Sequence, residues 1–119
     1  MPAKSQRQLQ MGENIKRILA NIFLRNDYSN IGGSIVAISE VDMSSDLKNA
    51  KIFVDIYGNK ILVIEKLKKL VPAIRHQLAQ QLTTRSLPEL FFVVNKTQEN
   101  AANIEKILTS QPTKPQIEE

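Results

Sequence analysis

The 119-residue chain contains no cysteine and no tryptophan, and only one histidine. Without a thiol there is no disulfide framework, no thiolate zinc ribbon and no cysteine nucleophile, a pattern that fits a reducing compartment. The lone His76 leaves any imidazole-based metal site to be completed by carboxylates, and no local cluster supplies them. No metal or cofactor is therefore expected. Aromatic residues make up 5% of the chain, so the core must be mainly aliphatic. No apolar run reaches the roughly 20 residues that cross a bilayer. The N-terminus lacks the apolar stretch of a signal peptide, and Glu13 and Asp27 argue against a transit peptide. A cytosolic protein without a membrane partner is expected.

What is present is an ordinary globular composition, 42% hydrophobic and 24% charged. This length suits one domain, which buries about two-thirds of its unfolded surface. The formal charge is +4, and without residues 109–119 the body holds 15 basic and 10 acidic side chains. That modest excess favours an anionic partner.

Three stretches carry the organisation. Met11, Ile15, Ile18, Leu19, Ile22 and Phe23 recur at three- and four-residue spacing, which predicts a first amphipathic helix over 8–25. Gly32-Gly33 sits in a turn-rich break and is no phosphate loop, because no Gly-Lys-Ser/Thr follows. Residues 34–43 and 49–57 then read as two strands joined by a short polar turn, an antiparallel hairpin. In the second strand Ala50, Ile52, Val54 and Ile56 alternate with Lys51, Phe53, Asp55 and Tyr57, so the first set should face the core. Phe53 and Tyr57 beside Lys51 could stack on bases, or be covered by a helix, or shield the sheet.

Residues 60–85 form the most strongly basic stretch, with Lys60, Lys66, Lys68, Lys69, Arg75 and Arg85 against Glu65 alone. Val63, Ile64, Leu67, Leu70 and Val71 share one helical face, and Ile74, Leu78 and Leu82 make a second stripe. Pro72 lies between the two. It lacks the N–H that would bond the Lys68 carbonyl, so either the helix kinks through Val71, Pro72 and Ala73 or a second helix begins with Pro72 at its first position. The bland account of these cations is a solvated helix face. The functional account is a surface that neutralises phosphates, with affinity falling as salt rises.

After a break at Pro88, residues 90–95 form an unbroken apolar run, which predicts a central, buried third strand. A short last helix is expected over 100–108, with Ile104, Ile107 and Leu108 on one side, followed by a disordered tail over 109–119. Residues 1–6 are expected to be flexible. The resulting α+β order, α-β-β-α-kink-α-β, has a three-stranded mixed sheet with helices packed on one face. It matches the type II KH arrangement, an architecture that binds RNA or DNA.

Chemistry is sparse. Glu40 and Asp42 share a strand face and could act as a carboxylate pair. Nothing around them signals a substrate pocket, and a solvated or salt-bridged strand face accounts for them as well. His76 falls opposite Ile74, Leu78 and Leu82, a surface position. No catalytic residue is assigned.

Two motifs sharpen this picture. Residues 40–58 read EVDMSSDLKNAKIFVDIYG, and Ser45, Asp46, Leu47, Ala50, Lys51, Val54 and Gly58 sit where the hairpin signature of the bacterial ribosome-binding factor A family has its defining residues. Ile74-Arg75, and then Leu82, Arg85, Pro88, Glu89, Leu90 and Phe92, resemble that family's second segment. The resemblance covers about residues 7–108. It implies a monomeric KH-like domain that binds the immature 30S subunit and assists late maturation of 16S rRNA near the 5′ end. Such a domain acts by binding, without catalysis or a small-molecule substrate, and the family is associated with growth in the cold. The chain departs from the family's pattern at Pro72, where Gly is common, and at Ser45, where Pro is common. The RNA-binding residues expected are Lys66, Lys68, Lys69, Arg75 and Arg85, with Lys51, Lys16 and Arg17 in support. A protein-interaction adaptor with an incidental basic face is the alternative, and a small enzyme using His76, Glu40 and Asp42 is the third reading.

Overall fold

The computed structural model describes residues 4–82 and 87–95. Helix α1 (Gln6–Arg25) is followed by strands β1 (Asn30–Ile31), β2 (Ser34–Met43) and β3 (Asn49–Tyr57), helix α2 (Lys60–Gln81) and strand β4 (Glu89–Val94). The expected helix over 100–108, the tail over 109–119 and Arg85 lie outside the described residues.

Helix α1 starts two residues before the expected Gln8, because Ser5 forms a capping box with Gln8. The Ser5 hydroxyl accepts from the Gln8 amide at 3.1 Å, and the Gln8 side chain accepts from the Ser5 amide at 2.8 Å. The apolar stripe buries Ile15, Ile18, Leu19, Ile22 and Phe23. Gly12 lets the helix approach β2, since a Cβ there would lie 2.8 Å from the Val41 carbonyl oxygen.

The sheet order is β1-β2-β3-β4, antiparallel except for the parallel β3–β4 pair. The expected three strands are present, and a two-residue strand, β1, extends them. It arises because Gly32 and Gly33, at φ of 57° and 84°, turn the chain tightly enough for Asn30 and Ile31 to pair with β2. The expectation of a central third strand is corrected. Residues 89–94 form β4 at the sheet edge, and β3 is the central partner between β2 and β4. The apolar run misled because Leu90 and Phe92 face the helices while Phe91 faces away and is 52% exposed.

Ala50, Ile52, Val54 and Ile56 are fully buried on the helical face of β3, as their alternation requires. In β2 the pairing register shifts between Ile38 and Glu40. Val36 and Ile38 pair opposite Ile56 and Val54, whereas beyond the shift Val41 and Met43 pair opposite Ile52 and Ala50. This β-bulge changes the facing parity by one residue. Without it, Glu40 and Asp42 would point into the core.

Helix α2 runs through Pro72 as one element, so the two expected segments with Val71-Pro72-Ala73 between them share a single helix. Counted at about 100° per residue, Val63, Leu67, Ile74 and Leu78 keep one stripe on both sides of the proline. All four are buried. Pro72 lies on the exposed side, where water can reach the Lys68 carbonyl that the proline leaves without a helical donor. Asn59 caps the helix by accepting from the Leu62 amide at 3.0 Å. Asn26, at the end of α1, donates its side-chain amide to the Ile22 carbonyl at 2.7 Å and to the Gln77 side chain at 2.8 Å, tying the two helices together.

Candidate nucleic-acid interface

The basic residues of the sequence reading fall into distinct places. Lys66, Lys68 and Lys69 are all exposed on α2 and spread over about 160° of its circumference, around the outward side that also bears Pro72. Glu65 is the acid that shares this surface. Lys16 is half-buried on α1 and Arg17 is exposed there, with its guanidinium on the Asn14 side chain at 2.5 Å. Lys51 stands on the sheet face opposite the helices, between Asp42 of β2 and Phe91 of β4 in register.

A groove of about 990 Å³ joins two of these places. It runs beside β4 and is bordered by Lys51 from the sheet and by Lys60 and Lys68 from α2. Its apolar lining includes Ile64, Val71 and Phe91. Lys60 belongs to the basic stretch but not to the contact residues expected from sequence. Its place one helical turn before Ile64, on the flank of α2 that meets the groove, is the signal that could have found it.

Arg75 is committed elsewhere. Its Nε donates to the Pro88 carbonyl at 3.2 Å and its Nη2 to the Leu87 carbonyl at 3.2 Å. The same guanidinium lies 3.5 Å from the Glu89 carboxylate. The side chain thus clasps the segment entering β4 to α2. The two parts of the second motif, Ile74-Arg75 and Pro88-Glu89, meet in space as this clasp. Ile74 is fully buried behind it.

The hairpin motif is likewise architectural. The Ser44 hydroxyl donates to the Asp46 carboxylate at 2.7 Å and accepts from the Asn49 amide at 3.0 Å. The Lys48 amide donates to the same carboxylate at 3.1 Å. These bonds, the Ser44 hydroxyl first, hold the Asp46 pKa below the ordinary carboxylate value. They also pin the turn in which Leu47 takes a left-handed backbone at φ 61°.

The residues of the enzymatic reading are not brought together. Glu40 and Asp42 lie on the open sheet face, and Asp42 pairs with Lys4. His76 is exposed on α2, in the other layer, with Gln80 at 3.4 Å. Among the described residues no group of three His, Asp or Glu side chains could hold a metal ion. None of their helices is long and apolar enough to cross a membrane.

The open sheet face also exposes apolar side chains. Ile35, Tyr57 and Phe91 are 57%, 61% and 52% exposed, and Phe53 is half-buried among them. Neither described helix covers Phe53 or Tyr57, since α1 and α2 pack on the other face. Phe91 and Ile35 are absent from the aromatic face that the alternation of β3 predicts. Alternation within β4 pointed to Phe91, but the strand's unbroken apolar character masked it.

Comparison with known proteins places these features in context. The family model described as ribosome-binding factor A matches residues 7–108. Ribosome-binding factor A of Pelagibacter ubique is 39% identical over 108 residues, covering 87% of this chain and 88% of the relative. The protein of the same name from Chelativorans sp. is 35% identical over 112 residues, covering 91% and 84%. Among solved structures, the crystal structure of ribosome-binding factor A from Thermus thermophilus superposes with a TM-score of 0.66 at 18% identity, over 73% of this chain and 94% of that one. A Thermus thermophilus ribosome binding factor A fitted into the cryo-EM map of a 30S complex gives a TM-score of 0.61 at 19% identity, over 71% and 91%. The α+β, type II KH-like architecture is thus shared.

Proposed function

This chain belongs to the ribosome-binding factor A family, and on that premise we propose that it binds the immature 30S ribosomal subunit as a cytoplasmic monomer and assists late maturation of 16S rRNA near its 5′ end. It acts by binding and guiding rRNA, with no covalent step. The observation that carries this reading is the exposed lysine surface of α2. Lys66, Lys68 and Lys69 project from one helix whose apolar stripe is fixed in the core, so three charges are held on a rigid support. Lys51 and Lys60 extend the cationic surface along the β4 groove, and Lys16 and Arg17 add charge on α1. Such contacts give affinity and position but no base-specific readout.

The experiment is co-sedimentation of the Lys66→Glu/Lys68→Glu/Lys69→Glu variant with small subunits across a salt series. All three positions are exposed, so the fold should keep its melting temperature. Removing three phosphate contacts should flatten the slope of log affinity against log salt by about 2–3. Unchanged sedimentation at moderate salt would refute the assignment. The exposed Ile35, Tyr57 and Phe91 favour a second reading, a protein-interaction adaptor. That reading expects salt-insensitive capture by a protein partner and no loss of subunit binding in the lysine variant.

A further inference from the structure

Three aromatic side chains share the open sheet face, and their neighbours in register differ. Phe53 is half-buried, with Glu40 opposite it on β2 and Asp55 two residues along the same face. Tyr57 lies beyond Asp55, opposite Ile35. Carboxylates beside these two rings turn phosphate away. Phe91 is placed otherwise. It is 52% exposed on β4, which pairs only with β3 among the described residues, so one side of the ring is open. Lys51 stands directly beside it in register. Adjacent strands lie about 4.8 Å apart, so ring and lysine form one unit. The acids nearest this unit already have cationic partners, Asp42 in Lys4 and Glu89 in Arg75.

We propose that a single-stranded RNA segment crosses the β4 edge onto the outer sheet face, with one base stacked on Phe91 and the adjoining phosphates met by Lys51, Lys60 and Lys68. This rests on the RNA-binding reading and adds to it the strand state of the RNA and the residue that holds a base. Charge selects the occupant. Three lysines line the groove beside β4 against the carboxylate of Asp42 alone, and Lys4 already pairs with that carboxylate. Continuity selects the path. Phe91 lines the same groove as Lys60 and Lys68, so the helix layer and the outer ring share one surface. Lys60 and Lys68 lie about 12 Å apart along α2 at helical rise, so the cations follow a chain rather than mark a point. The ring selects the strand state. Bases in a duplex stack on one another, and a ring contacts a base face only where the base is unpaired. Phe91 carries no hydrogen-bonding group, so the stacking is sequence-tolerant. The acids beside Phe53 and Tyr57 confine it to this end of the sheet.

The absence of tryptophan makes the test direct. Phe91→Trp in the full chain adds one emitting indole at an exposed position. Single-stranded hexa-adenylate should quench it on binding, and a duplex of the same length should not. Read by anisotropy of the labelled oligomer, affinity should match the native protein in Phe91→Trp. It should fall at least about 5-fold in Phe91→Leu, which keeps an apolar side chain but offers no π-face. The Phe91→Leu salt slope should stay native, whereas Lys51→Gln should flatten it by about 0.7. Hexa-adenylate bound with the indole unquenched, or bound equally well by Phe91→Leu, would overturn the stacking and leave the lysine surface standing. Failure of the native protein to bind hexa-adenylate would overturn it too, as would capture of a protein partner through Phe91 with no oligomer bound. Subunit sedimentation of the lysine variant tests the underlying reading separately.

Discussion

Replacing Arg75 separates a structural from a phosphate-binding role. Its guanidinium donates two hydrogen bonds of 3.2 Å to the Leu87 and Pro88 carbonyls. Hydrogen bonds involving a charged group contribute about 1.5–3 kcal/mol each when well made. These two are partly open to water, and the lower end applies. The Glu89 pair adds little, because its two side chains are 29% and 62% exposed and solvent screens them. Arg75→Ala should therefore cost about 3 kcal/mol. In a domain of this size each kcal/mol lowers the melting temperature by about 4–8 °C. Arg75→Lys keeps the charge but not the planar fork, so it should still lose about 1–2 kcal/mol. Glu89→Gln should lose under about 1 kcal/mol. Thermal and urea unfolding followed by circular dichroism reads all three, and subunit binding across a salt series reads the other role. A structural clasp requires Arg75→Lys to be less stable yet keep the salt slope of the native protein. If Arg75→Lys unfolds within about 0.5 kcal/mol of the native protein, the ordinary range for neutral surface changes, the clasp reasoning is refuted.

Two further outcomes are expected. Gly12→Ala gains about 0.5–1 kcal/mol of helix propensity, but its Cβ meets the Val41 carbonyl oxygen at 2.8 Å, a backbone atom with little room to yield. Overpacking of this kind costs about 1–3 kcal/mol, so the variant should melt lower, and a raised melting temperature would show that α1 can retreat from β2. Asp46 titrates below its ordinary value of 3.8 in the folded protein, so the stability it contributes is fully present above that value and is lost as pH falls through the lower folded value. Acid unfolding below about pH 4 should therefore be steeper in the native protein than in Asp46→Asn, and equal slopes would show that the turn does not hold the carboxylate.

The candidate site was legible as a charge count and less so as a surface. Periodicity put Lys66, Lys68 and Lys69 off the apolar stripe of α2, and all three are exposed. The same reasoning could not separate them from Arg75. A cation on the flank of a helix looks alike in sequence whether it meets solvent or a carbonyl, and only the return of residues 87–89 beside α2 supplies the carbonyls. The two family motifs were read as signs of an RNA-binding factor. In the structure they build the hairpin turn at Asp46 and the clasp at Arg75, so the residues that identify the family chiefly maintain its shape.

Local physics alone determined the helical stripe of α1, the alternation of β3 and the hairpin between β2 and β3. Each depends on neighbours within a few positions, and burying one face of a periodic element has one solution. Even the proline was accommodated locally, because it falls on the outward side of α2. Tertiary structure decided what local pattern leaves open. It made residues 89–94 an edge strand rather than a central one, through parallel pairing with β3. It placed the bulge after Ile38 that turns Glu40 and Asp42 outward, because β3 fixes the register on the far side of the shift. It brought Lys51 and Lys68, from opposite layers of the fold, to the two banks of one groove. These are contacts between residues distant in the chain, and their free energies come from packing that no single stretch of sequence contains.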